Sequence, residues 1–516
     1  MIEDILQGDS VKTEFGTVIY NKTVYEFQVM LINPEQNIFL FRNSGIKNLT
    51  ISDTIDSYFQ QGTIVVKNDF DLLERPTQES GSSGAASVNN TKPVNYLFRG
   101  DSRDILRISI TPKLDQSAIA QSSEALKTMM SIIYDFVVYN VEEIPGGTST
   151  EKYKKLYFWD IYHQILLEKK LNFSTAKLPK NTYKNNNEVP GAVSTGAAIQ
   201  ELLKATFPVS EGYIPTFGKF DTGGTDIFFS SPAGYSAHDC LMYLMDRHVS
   251  VPANNYDKCI LSIERYPKQW SLISMKEHFD AAYNATNDAG GPLFLERLLI
   301  GGFKDNDPEQ NTKNISRTPS NSVYISDVGT INSYSYVSAP GELTQNKVRT
   351  TVAHSYNFKN KTFYSDIGSN SFTAQQGIYQ KNYVNNMQGD NGSPSSNLIG
   401  NTYRLNNLNI ENLYSTSSNS KEQRFGVGRN KSLTAAIYLN NTISLTLPGA
   451  TYRQTGKFIA VERTDALDNS KFDDKLLGIY LIVSVNHIFS ETNYTNEIVA
   501  VKTYNYRNLG QTESII

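Results

Sequence analysis

The chain has 516 residues, 48 of them basic and 52 acidic, for a net charge of −4 with only 19% charged residues. That length exceeds what one hydrophobic core supports, so two to four domains are expected, and without a basic surplus sequence-wide nucleic-acid binding is disfavoured. Two cysteines, Cys240 and Cys259, give no disulfide framework and fit a reducing cytoplasm.

The 31 tyrosines and 25 phenylalanines, in a Ser/Thr/Asn-rich background, suit β-sheets and broad interfaces. The longest apolar runs, Met129–Tyr139 and Leu476–Val485, fall short of the ~20 residues that span a bilayer. MIEDILQGDSVK lacks the basic start and apolar stretch of a secretory signal.

In chain order, alternation predicts strands at Val18–Tyr20, Tyr25–Leu31, Ile38–Phe41, Leu49–Ile51 and Gly62–Val66, with Asn21-Lys22 as a hairpin turn. Residues 76–93 have the composition of a flexible surface loop. YLFRGDSRDILRISITP reads as two strands around Gly100-Asp101, followed by a short helix over Ser117–Met130 and a strand at Ile132–Ile144. Pro145-Gly146-Gly147 then marks a boundary, because it stops any regular element.

Next, KKLYFWDIY is strand-like, and Tyr162–Leu171 is a helix with Ile165, Leu166 and Leu171 on one side. After an Asn/Lys-rich loop at 180–188, Ser194–Phe207 is helical, with Ala198, Ile199, Leu202, Leu203 and Ala205 as its apolar stripe. Asp226–Phe229 is a strand, and Ser236–Val249 is a helix with Ser236 as N-cap and Asp239 completing a capping box. Cys259–Arg265 alternates as a strand.

The polar block 303–430 retains strand-like pieces at Val348–Ala353, Lys361–Ser365 and Gly377–Val384. A structureless loop that long is foreign to compact domains, so it reads as an elaborated β-insertion. From Ile443, ISLTLPGATYRQTGKFIAVERTD and LLGIYLIVSVNHIFSETNYTNEIVAVKTYNY alternate between turns at Pro448-Gly449, Asp473-Asp474 and Asn493, the pattern of an antiparallel β-module.

Catalytic patterns are missing. His238, Cys240, His248 and Cys259 lie within 22 residues, but they make no C-x-x-C or H-x-x-x-H pair, and Cys240 beside Leu241 and Leu244 reads as a small buried hydrophobe. The acidic runs DNDPE and DNSKFDD lack the ligand spacing of a calcium loop and read as solvated turns. No G-x-S-x-G elbow, Walker loop or dinucleotide fingerprint occurs, and Gly223-Gly224 and Gly290-Gly291 read as turns. His487, on a strand between apolar neighbours, reads as a structural or interface histidine. The expectation is a non-enzyme without cofactor or metal.

Several segments, in order, resemble the baseplate hub proteins of contractile-tailed bacteriophages, which are related to the hub domains of secretion-system spikes. They are LTISDTIDSYFQQGTIVVKNDFDLLER, LFRGDSRDILRISITP, FVVYNVEEI, KLYFWDIYHQILLEKKL, AAIQELLKATF, the helix at 236–248, RYPKQWSLISM, VAHSYNFKNKTFYSDI and LLGIYLIVSVNHIF. Each is generic β-sequence alone; their collinear order carries the likeness. The second strand pair departs from the family pattern, with Asp101-Ser102-Arg103-Asp104 where the family has a Glu, and the blocks at 76–93 and within 303–430 are additions.

The resemblance implies a mainly β, multi-domain chain with α+β insertions and two tail-tube-like β-barrels. On it, residues 1–147 form the first barrel, 148–216 a small α+β domain, 217–302 strands and a helix leading to the second barrel, 303–430 the polar insertion, and 431–516 the strands completing the second barrel. It further implies a homotrimer that adapts a sixfold tail tube to a threefold central spike and lines part of the DNA channel. Partners would be the tail tube protein ring, the central spike protein and surrounding baseplate wedge proteins, with DNA passing through unread and no membrane segment. The place would be the tail baseplate of a virion assembled in the bacterial host cytoplasm. Tyr20, Tyr25, Phe39 and Phe41 in the first barrel, and Ile479, Leu481 and Tyr494 in the last, are the candidates for inter-subunit contact, since aromatic and large apolar groups anchor interfaces. The alternatives are a carbohydrate-binding or depolymerase tail protein, which would need paired carboxylates and sugar-stacking Trp159 or Trp270, and a secretion-system spike hub.

Overall fold

The computed structural model describes residues 16–20, 23–32, 38–41, 45–55, 57–67, 104–113, 132–146, 152–178, 193–207, 216–224, 226–227, 229–248, 259–265, 268–274, 277, 295–300, 322–323, 329–338, 350–357, 362–368, 399–404, 441–463, 476–490 and 493–502. Alternating sequence makes these residues mainly β. The strands are β1 (Gly16–Tyr20), β2 (Thr23–Ile32), β3 (Ile38–Leu40), β4 (Ile46–Thr54), β5 (Gln61–Lys67), β6 (Ile105–Lys113), β7 (Ile132–Pro145) and β8 (Lys152–Asp160). Then come β9 (Val193–Ser194), β10 (Thr216–Phe220), β11 (Asp226–Ile227), β12 (Cys259–Arg265), β13 (Lys268–Ser274), β14 (Leu295–Ile300), β15 (Ser322–Val323) and β16 (Ser333–Ser338). The last are β17 (Thr350–Asn357), β18 (Thr362–Gly368), β19 (Ile399–Arg404), β20 (Asn441–Pro448), β21 (Phe458–Arg463), β22 (Gly478–Ser490) and β23 (Tyr494–Lys502). The α-helices are α1 (Ile161–Glu168), α2 (Thr195–Thr206) and α3 (Ala237–Arg247).

Fifteen strands join one hydrogen-bonded sheet in the order β1-β2-β6-β7-β8-β5-β4-β22-β21-β14-β15, with β3 on β2 and the series β23-β20-β16 branching from β22. The sheet serves two cores. Strands β2 and β4 to β8 bury Leu31, Leu49, Ile51, Ile64, Leu106, Phe136 and Phe158 together. Strands β14 and β20 to β23 bury Leu298, Ile443, Leu445, Val461, Tyr480 and Ile498 together. The two ends of the second group are joined where Leu299 of β14 bridges Thr330, just before β16; among the described residues the first group shows no such closing ladder, and each half of the sheet wraps on its own interior.

The three helices make a third core with β12 and β13, centred on Trp270, Leu202, Leu241 and Leu272. In α2, Ala198, Ile199, Leu202 and Leu203 face inward, whereas Ala205 is exposed.

Contacts cross two of the expected boundaries. Pro145 pairs with Lys152 across the β7–β8 pair, and β8 also pairs with β5 inside the first sheet. The division at 216 cuts the third core, which unites Leu202 and Leu203 with Trp270 and Leu272. The strands expected at 348–353 and 361–365 lie within or overlap β17 and β18, which pair with each other, β17 also pairing with β19. Strands β1 and β2 pair antiparallel with Tyr20 opposite Thr23; the expected turn Asn21-Lys22 lies outside the described residues. The expected helix at 117–130, the strand at 377–384 and the loops at 76–93 and 180–188 lie outside the described residues.

Helix α3 starts as its sequence demands. Ser236 Oγ accepts from the Asp239 N–H at 3.1 Å, and the Ser236 N–H donates to Asp239 Oδ2 at 3.0 Å. Ser236→Ala is expected to cost about 1 kcal/mol of unfolding free energy, read from denaturant melts, because an orphaned helix N–H loses its acceptor.

Helices α1 and α3 also bring two imidazoles together, His163 and His238, with ring centres 4.9 Å apart and Phe59 stacked on His163 at 5.1 Å. Burial, and secondarily the charge of His238, lowers the His163 pKa to about 4. Burial likewise lowers His238, opposed by Asp239. An unfolded chain takes up a proton at His163 below its ordinary value of about 6.5, whereas the folded chain does so only near pH 4. Stability therefore falls as pH drops from about 6.5 toward 4. Thermal melts across that window should show the slope reduced in His163→Phe, which keeps the stacking and removes the titrating group.

Candidate functional site

The two β-sheets meet on β22 and β23, and the register of that pair explains how. Three cross-strand pairs follow one another: Phe489 opposite Tyr494, His487 opposite Asn496, and Val485 opposite Ile498. Phe489 and Tyr494 belong to the first core, with rings stacked 4.0 Å apart. Val485 and Ile498 belong to the second core. Residues two apart on a strand share a face, so this face leaves one apolar interior, crosses a polar row and enters the other. Meanwhile β4 pairs with the C-terminal half of β22, from Asn48↔Ser490 to Thr54↔Ser484, and β21 pairs with its N-terminal part.

The polar row is the centre of a buried network fed by the turn between β20 and β21. Arg453, 1% exposed, forks onto Glu296 of β14, 3% exposed, through Nη2–Oε1 at 2.6 Å and Nε–Oε2 at 3.0 Å. Tyr452 donates its hydroxyl to the same carboxylate at 2.7 Å. Arg453 Nη1 donates to Asn496 Oδ1 at 2.9 Å and to the Pro448 carbonyl, and the Ala450 N–H donates to Asn496 Oδ1 at 2.7 Å.

Those two donors fix the Asn496 amide, and the amide then fixes the histidine. Asn496 Nδ2 can only donate, so it gives its hydrogen to His487 Nδ1 at 2.9 Å, with the Tyr494 hydroxyl 2.8 Å from the same nitrogen. His487 Nε2 carries the ring proton and donates to the Arg453 carbonyl at 3.0 Å. His487 is thus the structural histidine expected from sequence.

Gly449 completes the turn, since a Cβ there would lie 2.2 Å from the Tyr494 ring. On the far side of the turn, Asp53 of β4 accepts from Thr455 Oγ1 at 2.9 Å and from the Thr455 N–H at 3.3 Å. A loop of the second sheet is thereby tied to a strand of the first.

Where the sheets and the helical layer converge lies a cavity of about 120 Å³, lined by Asp53, Asp135, Asp160, Tyr58, Leu261 and Thr455 among others. Small-molecule sites span roughly 300–1,000 Å³. Its carboxylates hold structural partners: Asp53 holds Thr455, Asp135 takes Arg107 Nε at 2.6 Å, and Asp160 caps α1 through the Tyr162 N–H at 2.7 Å. Trp159, half-buried, is stacked on Tyr139 at 4.0 Å and donates to Gln164; Trp270 is buried. Neither offers a bare face for a sugar ring.

The interface candidates come out differently from expectation. Phe41, Ile479, Leu481 and Tyr494 are 7%, 3%, 0% and 0% exposed, so they are core residues of a single chain and have no surface left for a neighbour. Tyr20, Tyr25 and Phe39 lie in β1, β2 and β3, with side chains outside the described residues. The large apolar groups that do face outward include Ile133, Tyr334 and Val337, at 57%, 42% and 55%. The His/Cys group from sequence is divided: His238 sits against His163, Cys240 is buried in the helical core, and His248 and Cys259 approach Asp221. Glu296, Arg453, Asn496 and Asp221 escaped the sequence reading, because each depends on a partner far away along the chain.

No protein-family model and no curated protein matches the sequence. Among solved structures, the chain is similar to the tail protein from Neisseria meningitidis MC58, with TM-score 0.42 and 9% identity over 92% of this chain and 96% of that one. It is similar to the 43 kDa tail protein of prophage MuSo2 from Shewanella oneidensis, with TM-score 0.41 and 10% identity over 92% and 98% of the two chains. It is also similar to a chain of the Francisella PdpA-VgrG complex, with TM-score 0.42 and 12% identity over 96% of this chain and 61% of that one.

Removing one member of the buried ion pair strands the other. Arg453→Met is expected to cost roughly 3–5 kcal/mol in denaturant unfolding, and Glu296→Met/Arg453→Met together less than the single change, because no bare charge then remains inside.

Proposed function

We propose that the chain is a structural hub of a contractile phage tail, three copies forming a ring that seats a sixfold tail tube above and a threefold spike below. The observation that carries this reading is the welded junction. Two β-sheets with separate interiors share β22 and are locked by the Asp53–Thr455 and Arg453–Glu296 contacts. A part that converts threefold into sixfold symmetry must present two similar units per chain at a fixed mutual angle, and a shared strand with a polar lock holds such an angle. The collinear run of hub-like segments in the sequence supports the same reading. So does the settled state of the carboxylates around the small cavity, which fits mechanical work better than catalysis.

Contacts between copies then fall on exposed edges rather than on the core aromatics. Strand β16 pairs with β20 while only its lead-in, Gly329–Ile331, bonds to β14, and Tyr334 and Val337 on it are exposed. An apolar edge strand of this kind invites strand pairing and is normally covered; in the ring a neighbouring copy covers it.

Light scattering on the purified chain, alone and with the tail tube and spike proteins of the same virion, tests the proposal. The expected result is a mass of three copies, in the free chain or on adding either partner. A monomer that ignores both partners overturns it. Val337→Lys should weaken the trimer at least tenfold, a change of about 1.4 kcal/mol, with the melting temperature of the isolated chain unchanged.

A further inference from the structure

We infer that Asp221, His248 and Cys259 form a binding site for a zinc-class divalent cation. Asp221 follows β10, His248 closes α3 and Cys259 opens β12, and one ligand atom from each lies within 4.8 Å of the other two. Zinc bound through oxygen, nitrogen and sulfur arms of about 2.0–2.3 Å sets tetrahedral ligands about 3.3–3.6 Å apart. His248 Nε2 and Asp221 Oδ2 are 3.8 Å apart, too long for a hydrogen bond and close to that spacing.

The surroundings hold each ligand by its other end. Thr195 Oγ1 lies 2.9 Å from His248 Nδ1, the partner that orients a metal-binding imidazole from behind. The Gly223 N–H donates to Asp221 Oδ1 at 2.7 Å, while Asp221 Oδ2 is buried and accepts no hydrogen bond among the described residues. Gly224 has φ +103°, and a Cβ there would lie 2.2 Å from Thr195 Oγ1 and 2.9 Å from His248 Nδ1, so the pair packs directly on bare backbone. The glycine pair that reads as a turn in the sequence also walls this cluster.

Charge balance favours the same occupant. A thiolate and a carboxylate neutralise a divalent cation, so a nearly closed pocket holds no net charge. Binding releases the Cys259 proton to solvent. His248 and Cys259 are 1% and 4% exposed, while the Asp221 side chain keeps 20%, which leaves the solvent side for a water as fourth ligand. Thiolate and imidazole select against calcium and magnesium, which take oxygen donors. The site would pin three segments separated in sequence, a structural role without chemistry.

The test is metal content by mass spectrometry of the full chain, prepared under reducing conditions, loaded with zinc and desalted. About one zinc per chain is expected, with affinity at least about tenfold weaker in Cys259→Ser, in Asp221→Asn and in the orienting variant Thr195→Val, and unchanged in His238→Gln. Cobalt loading should give a thiolate charge-transfer band in the near ultraviolet that Cys259→Ser lacks. Circular dichroism of the metal-free variants checks that they fold, and Thr195→Val serves if a ligand variant does not. Zinc retained equally by the ligand variants, or a wild-type chain that takes up no more zinc than Cys259→Ser, overturns the site.

Discussion

A single strand, β22, has to satisfy two interiors at once, and most of the architecture follows from how it does so. Its hydrogen-bonding edges serve β23 on one side and β21 followed by β4 on the other. One of its faces passes from Val485 in the second core to Phe489 in the first. Between them sits His487, and a strand period of two leaves no other position for the crossing. A one-residue slip would carry His487 to the half-exposed face of Ser484, Asn486 and Ile488 and bring a side chain from that face into the polar row. The network of Glu296, Arg453, Asn496 and His487 thus acts as a register pin, the use for which buried polar groups are best attested.

That pin also accounts for stiffness between the sheets. Hinges need exposed backbone and few buried contacts, whereas here the crossing is a ladder flanked by buried ion-pair and hydrogen-bond partners. The turn from Pro448 to Gly456 is held from three directions, by Glu296 of β14, by Asn496 of β23 and by Asp53 of β4. Movement of one sheet against the other would break charged contacts inside a low-dielectric interior. A coupling of this kind suits a component that passes load and alignment between other parts.

Local features were legible in the sequence wherever local rules govern them. The Ser236–Asp239 capping box, the antiparallel pairing of β1 with β2 and the C-terminal strands all stand where spacing puts them. Ile479 and Leu481, picked for contact between subunits, are buried for a reason the sequence does not display. From Gly478 to Val483, β22 is buried on both faces, so alternation no longer tells an inward residue from an outward one, and Ile479 and Leu481 look the same either way. Pairings across long separations were likewise invisible: Arg453 and Glu296 are 157 positions apart, and nothing near either names the other. Turn chemistry at Pro-Gly-Gly cannot say whether the next strand folds back or departs; β8 folds back onto β7.

The pairing of β4 with β22 sets a timetable for synthesis. The Asp53–Thr455 contact spans 402 residues, and at ribosomal speeds of about 5–20 residues per second roughly 20–80 s separate the emergence of its two halves. For that interval β4 has an open edge beside β5, and nascent copies on one polysome carry the same edge. The N-terminal sheet is completed only when the distant β22 has been made, so a product that stops short of it would leave an adhesive fragment rather than a smaller working part.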